Sequence, residues 1–204
     1  MQENGIMQRP MKRNLLRTGV DAIVRMSSTR ANYWAEVALD VTLCLVLLVE
    51  GWLHRSGSLT SLLALALGLL AFSFIEYFFH RWMFHTRIPL FEQGHRMHHA
   101  QPLGYDSLPF FLPSAVLLCL TGLLVLVMPL GVALLMAGAM TFGYIAYGLS
   151  HFTIHHVRFQ QPLLRRWAAS HHVHHYHPDS NFGVTTPLWD VLLGTRYVRQ
   201  PRQG

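Results

Sequence analysis

From residue 107 to residue 157 the chain carries no Asp, Glu, Lys or Arg. That run is too long for one membrane crossing, which takes about 20 apolar residues. Pro129 and Gly131 sit near its middle, so it reads as a helical hairpin, roughly 112–128 and 132–150, with a tight turn between. Upstream, residues 56–75 are also free of charge, and a weaker apolar stretch covers about 36–53 with Asp40 and Glu50 near its ends. Charged residues make up only 13% of the 204, about half the share usual in soluble domains. These features predict an all-α integral membrane protein with four transmembrane helices, at about 36–53, 56–79, 112–128 and 132–150, and a cytosolic histidine-rich helical cap.

Four crossings return the chain to its starting side, which makes the distribution of cations informative. Six Lys and Arg precede residue 36, three lie in 80–109 and six in 151–204, whereas the opposite face has Arg55 alone. The positive-inside rule then places both termini in the cytosol, in a bacterial inner membrane or the endoplasmic reticulum. Residues 1–35 read as a basic cytosolic or interfacial segment with partly amphipathic helical character, and 36–204 as the membrane domain. No signal-peptide pattern is evident. The net charge of +6 belongs beside a membrane rather than on nucleic acid, for which no reading motif occurs. Cys44 and Cys119 lie inside apolar runs, as packing residues rather than a disulfide or thiolate site.

Thirteen of the fourteen histidines fall in the two segments expected on the cytosolic face, 80–109 and 151–197. They form four motifs: His80-Arg-Trp-Met-Phe-His85, His95-Arg-Met-His98-His99, His151-Phe-Thr-Ile-His155 and His171-His172-Val-His174-His175. Residues three and four apart share a helix face, so each of the last three motifs is able to close on a metal. His80 and His85 are five apart, about 140° around an ideal helix, so one of them belongs at or beyond a helix end. Ten imidazoles exceed what one tetrahedral zinc uses, and two adjacent metals sharing them is the economical reading. Imidazole alone does not select among iron, copper, zinc and nickel. His54, His156, His172 and His177 fall off the shared faces. Glu76, one turn before His80, is placed to orient a ligand imidazole; Asp106, Asp179 and Asn181 are weaker candidates. Trp82, Trp167 and Trp189 read as interfacial anchors.

These motifs resemble those of the fatty acid hydroxylase and sterol desaturase superfamily. Glu76-Tyr-Phe-Phe-His80-Arg-Trp-Met-Phe-His85 is similar to the first histidine box of the fatty acid 2-hydroxylase branch, and Ser150-His151-Phe-Thr-Ile-His155 to its third. The tail Asn181-Phe-Gly-Val-Thr-Thr-Pro-Leu-Trp-Asp190, with Gly194-Thr195, is also typical of the family. The resemblance implies a four-helix membrane scaffold under a cytosolic cap, with His80, His85, His95, His98, His99, His151, His155, His171, His174 and His175 as direct ligands of two iron ions. Zinc is a possible occupant, and Glu76 and Asn181 would support the ligands. It implies hydroxylation of a fatty acyl chain with O2 and two electrons. The electrons would come from a separate donor, a cytochrome b5-like protein or a ferredoxin with its reductase. Sterol, carotenoid or other lipid hydroxylation or desaturation is the alternative within the superfamily. Phe152 after His151, where carotenoid hydroxylases carry Asp, counts against carotenoids. A zinc-dependent membrane hydrolase is the alternative of another class, although no Gly-x-Ser-x-Gly elbow occurs. A transporter would place ionisable residues at the bilayer midplane, and the hairpin has none.

Overall fold

The computed structural model describes residues 15–85, 88–105 and 107–199. Among these residues every regular element is helical. In chain order they are α1 (Leu15–Ser27), α2 (Arg30–Leu53), α3 (Ser58–Phe78) with a π-helical continuation at Phe79–Phe84, and α4 (Pro89–Ala100). Then come α5 (Leu112–Val127), α6 (Leu130–His156), α7 (Pro162–Tyr176) and the short α8 (Leu188–Leu192). Arg9, Lys12, Arg13, Arg87, Asp106 and Arg202, which entered the reading of charge and site, lie outside the described residues.

Among the described residues two helical stretches are long and apolar enough to cross a membrane, Ser58–Phe84 and Leu130–His156. The helix at Leu112–Val127 is apolar but shorter, and α2 carries Glu36, Asp40 and Glu50 along its length. Two of the four expected crossings thus meet that measure of length and composition. Boundaries moved as well. The expected break between residues 35 and 36 falls inside α2, because Thr29 caps that helix, its hydroxyl accepting from Asn32 N at 3.2 Å. The last span does not stop at residue 150; α6 runs on to His156, carrying His151 and His155 beyond the apolar bundle on one continuous helix.

The helix α6 is the hub, packed against α2, α3 and α5. Its small residues Ala133, Ala137, Gly138, Ala139 and Gly143 are all buried, which lets neighbouring backbones approach closely where lipid removes the usual hydrophobic drive. A Cβ on Gly138 would lie 2.9 Å from Leu48 Cγ of α2, and one on Gly143 would lie 2.7 Å from Phe72 Cγ of α3. Polar pairs bind the same helices: Tyr144 donates to Glu36 at 2.5 Å and Ser114 to Asp40 at 2.5 Å. Neither carboxylate is left facing apolar surroundings without a donor, which a bundle of this composition would tolerate poorly.

Helix α1 is amphipathic, with Val24 and Ser27 buried and Ile23, Arg25 and Met26 exposed. It is tied down by Gln93 of α4, whose amide donates to Asp21 at 2.5 Å. From α2, Asn32 reaches Leu108 O at 2.6 Å, Ser107 Oγ at 2.9 Å and Ser27 O at 3.1 Å. This one side chain joins α1, α2 and the loop before α5.

Replacing Gly143 with Val tests the α3–α6 approach. The added side chain has no room against Phe72, and overpacking of this kind costs about 1–3 kcal/mol. The variant is expected to lose thermal stability in detergent, measured as a lowered midpoint of unfolding, while Gly122→Val, at a position with open space around it, is expected to change little.

Candidate metal centres

The π-helical turn solves the problem of five-residue spacing. A π-helix repeats its hydrogen bonds every five residues rather than every four, so His80 and His85 come onto one face, with His85 as the residue that ends the helix. Their rings stack 5.6 Å apart at 22°. Pro89, which has no backbone N–H, starts α4 in the first turn, where an N–H would have no partner within the helix. Pro162 does the same for α7, where the Gln161 side chain also accepts from Leu164 N at 2.9 Å. Both helices end in histidines.

The ten motif histidines come together as two groups of five. One holds His80, His85, His95, His99 and His174; the other holds His98, His151, His155, His171 and His175. Within each, one nitrogen per ring lies within 4.8 Å of all the others. The two His-x-x-His-His motifs are split between the groups. The i,i+4 pairs His95–His99 and His171–His175 each stay on one side, and the third residue, His98 or His174, crosses to the other. The spacing argument that put each trio on a single ion is corrected here. A 3.6-residue repeat turns positions three and four apart in opposite directions from a common origin, enough to separate them between two neighbouring sites.

Ring nitrogens face one another across short gaps. His85 Nε2 lies 3.1 Å from His95 Nε2, and His95 Nε2 lies 3.0 Å from His99 Nε2. In the other group the His98–His175, His155–His171 and His171–His175 Nε2 pairs are 3.0, 3.0 and 3.1 Å apart.

Tautomers follow from the acceptors behind the rings. His80 Nδ1 is 2.5 Å from Phe182 O and His174 Nδ1 is 2.8 Å from Ser180 O. A carbonyl only accepts, so each Nδ1 carries the proton and each Nε2 presents a lone pair. Those two Nε2 atoms are buried and have no hydrogen-bond partner. Burial is the main force on the other rings. It lowers His95, His98 and His171 far below the ordinary imidazole range, His99 to about 4, and His174 and His175 to about 3, with neighbouring imidazoles adding to the effect. The rings are therefore neutral at physiological pH, as metal ligation requires. Two such groups are suited to holding metal ions.

Glu76 does not touch a ligand ring. It accepts from Val184 N at 2.6 Å, Thr185 N at 2.9 Å and the Thr185 hydroxyl, and so grips the loop whose Phe182 carbonyl orients His80. Asn181, at φ 55°, donates to Ser170 O at 3.1 Å and accepts from Tyr197 N at 2.8 Å. It fixes the loop's turn rather than a ligand. The residue that sequence reasoning passed over is Asp190, almost wholly buried, which accepts from Phe182 N at 2.9 Å, Gly183 N at 2.8 Å and Thr195 Oγ1 at 2.7 Å. Trp167 also serves this loop, donating to Val184 O at 2.7 Å, and Trp189 donates to Ser73 Oγ at 3.0 Å; both depart from simple interfacial anchoring. His156 lies against Leu103 O and Phe152, His177 stacks on Tyr197, and His54 sits at the far end of α2. None joins either group.

Asp190→Ala strands two buried backbone donors, at a cost of about 1–3 kcal/mol each. The variant is expected to unfold at lower temperature and to retain less bound metal after dialysis, measured by elemental analysis, whereas Asp179→Ala, on an exposed side chain, should leave both unchanged.

Comparison with known proteins agrees with this arrangement. Residues 65–195 match the model of the fatty acid hydroxylase family. A dihydroceramide fatty acyl 2-hydroxylase of Arabidopsis thaliana is 31% identical over 144 residues, 65% of this chain and 60% of the relative. The fatty acid 2-hydroxylase of Rattus norvegicus is 32% identical over 145 residues, 63% of this chain and 38% of that protein. The chain thus aligns with 60% or less of the length of these two relatives. A solved structure of full-length scs7p, in which only the hydroxylase domain is visible, superposes with a TM-score of 0.70 at 25% identity, over 81% of this chain and 67% of that one. With the family match extending from the middle of α3 to Thr195 and taking in all ten clustered histidines, the chain belongs to the fatty acid hydroxylase family.

Proposed function

We propose that the chain is a membrane-bound di-iron oxygenase that hydroxylates the fatty acyl chain of a lipid. The observation that carries this reading is the pair of adjoining five-histidine groups. The overall reaction is R–H + O2 + 2 e⁻ + 2 H⁺ → R–OH + H2O. The two electrons come from a separate donor, a cytochrome b5-like protein or a ferredoxin with its reductase. The names of the relatives, which include a dihydroceramide fatty acyl 2-hydroxylase and a ceramide very long chain fatty acid hydroxylase of Saccharomyces cerevisiae, weigh for an acyl chain rather than a sterol or carotenoid. They make the acyl chain of a ceramide-type lipid the first substrate to try.

His80, His85, His95, His99 and His174 would hold one iron, and His98, His151, His155, His171 and His175 the other. Bound iron supplies the activation of O2 that attack on an unactivated C–H bond needs. The protein's own part is positional. The Phe182 and Ser180 carbonyls keep the protons of His80 and His174 on Nδ1, so that both Nε2 atoms face the centre. Six of the ten rings are buried, which limits the access of water to the reacting carbon. Five imidazoles in each group exceed the four ligands that structural zinc sites use, which weighs for iron over zinc.

For topology, α2, α3, α5 and α6 form the four crossings, with the histidine groups at the cytosolic ends of α3 and α6. The cationic imbalance described above supports both termini being cytosolic. Alkaline phosphatase fused after Gly57 is expected to be active in a bacterial host, and the same fusion after Gly204 inactive; the reverse pattern would overturn the orientation.

The function is tested by untargeted lipid mass spectrometry on cells producing the wild type or His174→Ala/His175→Ala at equal membrane levels. A lipid class gaining one oxygen atom with the wild type alone is expected, with about two irons per purified chain. Loss of two hydrogens would make it a desaturase. No lipid change with a competent electron donor present, and zinc as the sole metal, would move the assignment to a hydrolase.

A further inference from the structure

A cavity of about 110 Å3 lies beside the first histidine group, between α1, α4, α6 and the loop before α5. It is lined by His95, by Val24 of α1 and Ser28 just after that helix, by Phe91 and Gly94 of α4, and by Tyr144 of α6. The wall made by α1 belongs to a segment outside residues 65–195, the part matched by the family model. That wall is fastened in place, by Gln93 to Asp21 at 2.5 Å, by Ser107 to Ser27 O at 2.7 Å, and by Asn32 to the same carbonyl. Gly94 is the neighbour of His95 in sequence, and a Cβ built on it meets nothing within 4 Å. Gly94 itself lines the cavity, so a side chain added there has that space to enter.

Resting on the hydroxylase reading above, we propose that this cavity receives the acyl segment that is oxidised, with α1 as its outer wall and Gly94 as the position that sets how deep and how wide that segment is. The size is informative. An engineered cavity of about 150 Å3 takes a benzene molecule, so 110 Å3 admits a few methylene groups and not a whole acyl chain. The rest of the chain lies outside, towards the bilayer that α1 flanks with its exposed Ile23 and Met26. Selectivity then rests on which carbons reach His95 rather than on total chain length. Gly94 and Val24 face that choice from opposite walls, and neither is a ligand of the proposed irons.

The test uses the full chain in membranes and a palmitoyl dihydroceramide carrying a diazirine near the acyl carbonyl. Light-induced crosslinks are mapped by peptide mass spectrometry, alongside hydroxylation of unmodified dihydroceramide. Crosslinks are expected within residues 24–28, at the end of α1, or 91–95 of α4. Gly94→Leu, which fills the cavity, is expected to reduce them at least tenfold and to lower hydroxylation similarly while metal content stays at the wild-type level. Val24→Ala, which widens it, should keep the crosslinks and broaden the range of acyl carbons hydroxylated. Crosslinks confined to other segments, or unchanged in Gly94→Leu, would overturn the cavity assignment. Crosslinks at α1 and α4 without any hydroxylated product from the wild type would instead uphold the cavity and sink the hydroxylase reading.

Discussion

Imidazole nitrogens held 3.0–3.1 Å apart in two groups of five set the terms for the rest of the molecule. Neutral imidazoles converging in this way are the donors that a metal ion needs, and a cation held among them would draw the segments that carry them together. The four chain segments that supply the rings have few other reasons to meet. Helix α4 joins the rest chiefly through α1 and the π-helical turn, and α7 packs through Ala168 against Ile154 and Val184. Because α4 and α7 each give two rings to one group and one ring to the other, neither group can assemble without the helix that mainly serves its neighbour. A metal held in either group would thus couple α4 to α7.

Beneath the cap, the membrane helices act as rigid posts. Helices α3 and α6 continue past their apolar lengths to present His80 and the His151–His155 pair, so any slip between them would be transmitted directly to ring positions. The close approach at Gly143 and Phe72 restricts that slip, and the Tyr144–Glu36 hydrogen bond ties α6 to α2 as well. The same logic explains the loop at 180–186, which carries no ligand. Its carbonyls orient His80 and His174, and its own N–H groups are gripped by Glu76 from α3 and Asp190 from α8. The loop translates the position of two helices into the tautomer of two rings.

What could be read in the sequence was whatever depends on local periodicity or bulk character. The helical class, the hairpin turn at Pro129 and the identity of the clustered histidines all belong to that kind. What could not be read depends on tertiary geometry. The split of His98 from His95 and His99 is invisible in a spacing that satisfies one site as well as two. The π-helical turn at Phe79–Phe84 resolves the five-residue spacing of His80 and His85 in a way that an α-helical template does not offer. The acceptors for the rings are backbone carbonyls, which every residue possesses, so Phe182 and Ser180 carried no signal. Asp190 was quoted only as part of a tail motif, and a lone Asp four residues before Gly194 gives no local hint that it closes a loop. Thr29, by contrast, was a legible helix cap; the hydropathy-based boundary at residue 36 passed over it because the first turn of α2 is polar.

Ten neutral imidazoles bring no negative charge to a site suited to multivalent cations, and that imbalance gives Glu76 and Asp190 a second significance. Both are buried, and both engage backbone N–H groups of the loop that lies directly behind His80. Asp190 accepts from Gly183 N, which shares a peptide group with the Phe182 carbonyl; polarising that group makes the carbonyl a stronger acceptor for His80 Nδ1–H and the opposite nitrogen a better donor of its lone pair. Glu76 holds the next two N–H groups of the same loop and so keeps that peptide in place. An arrangement of this kind leaves the positions around each centre to imidazoles and couples the electronic state of His80 to the packing of α3 against α8.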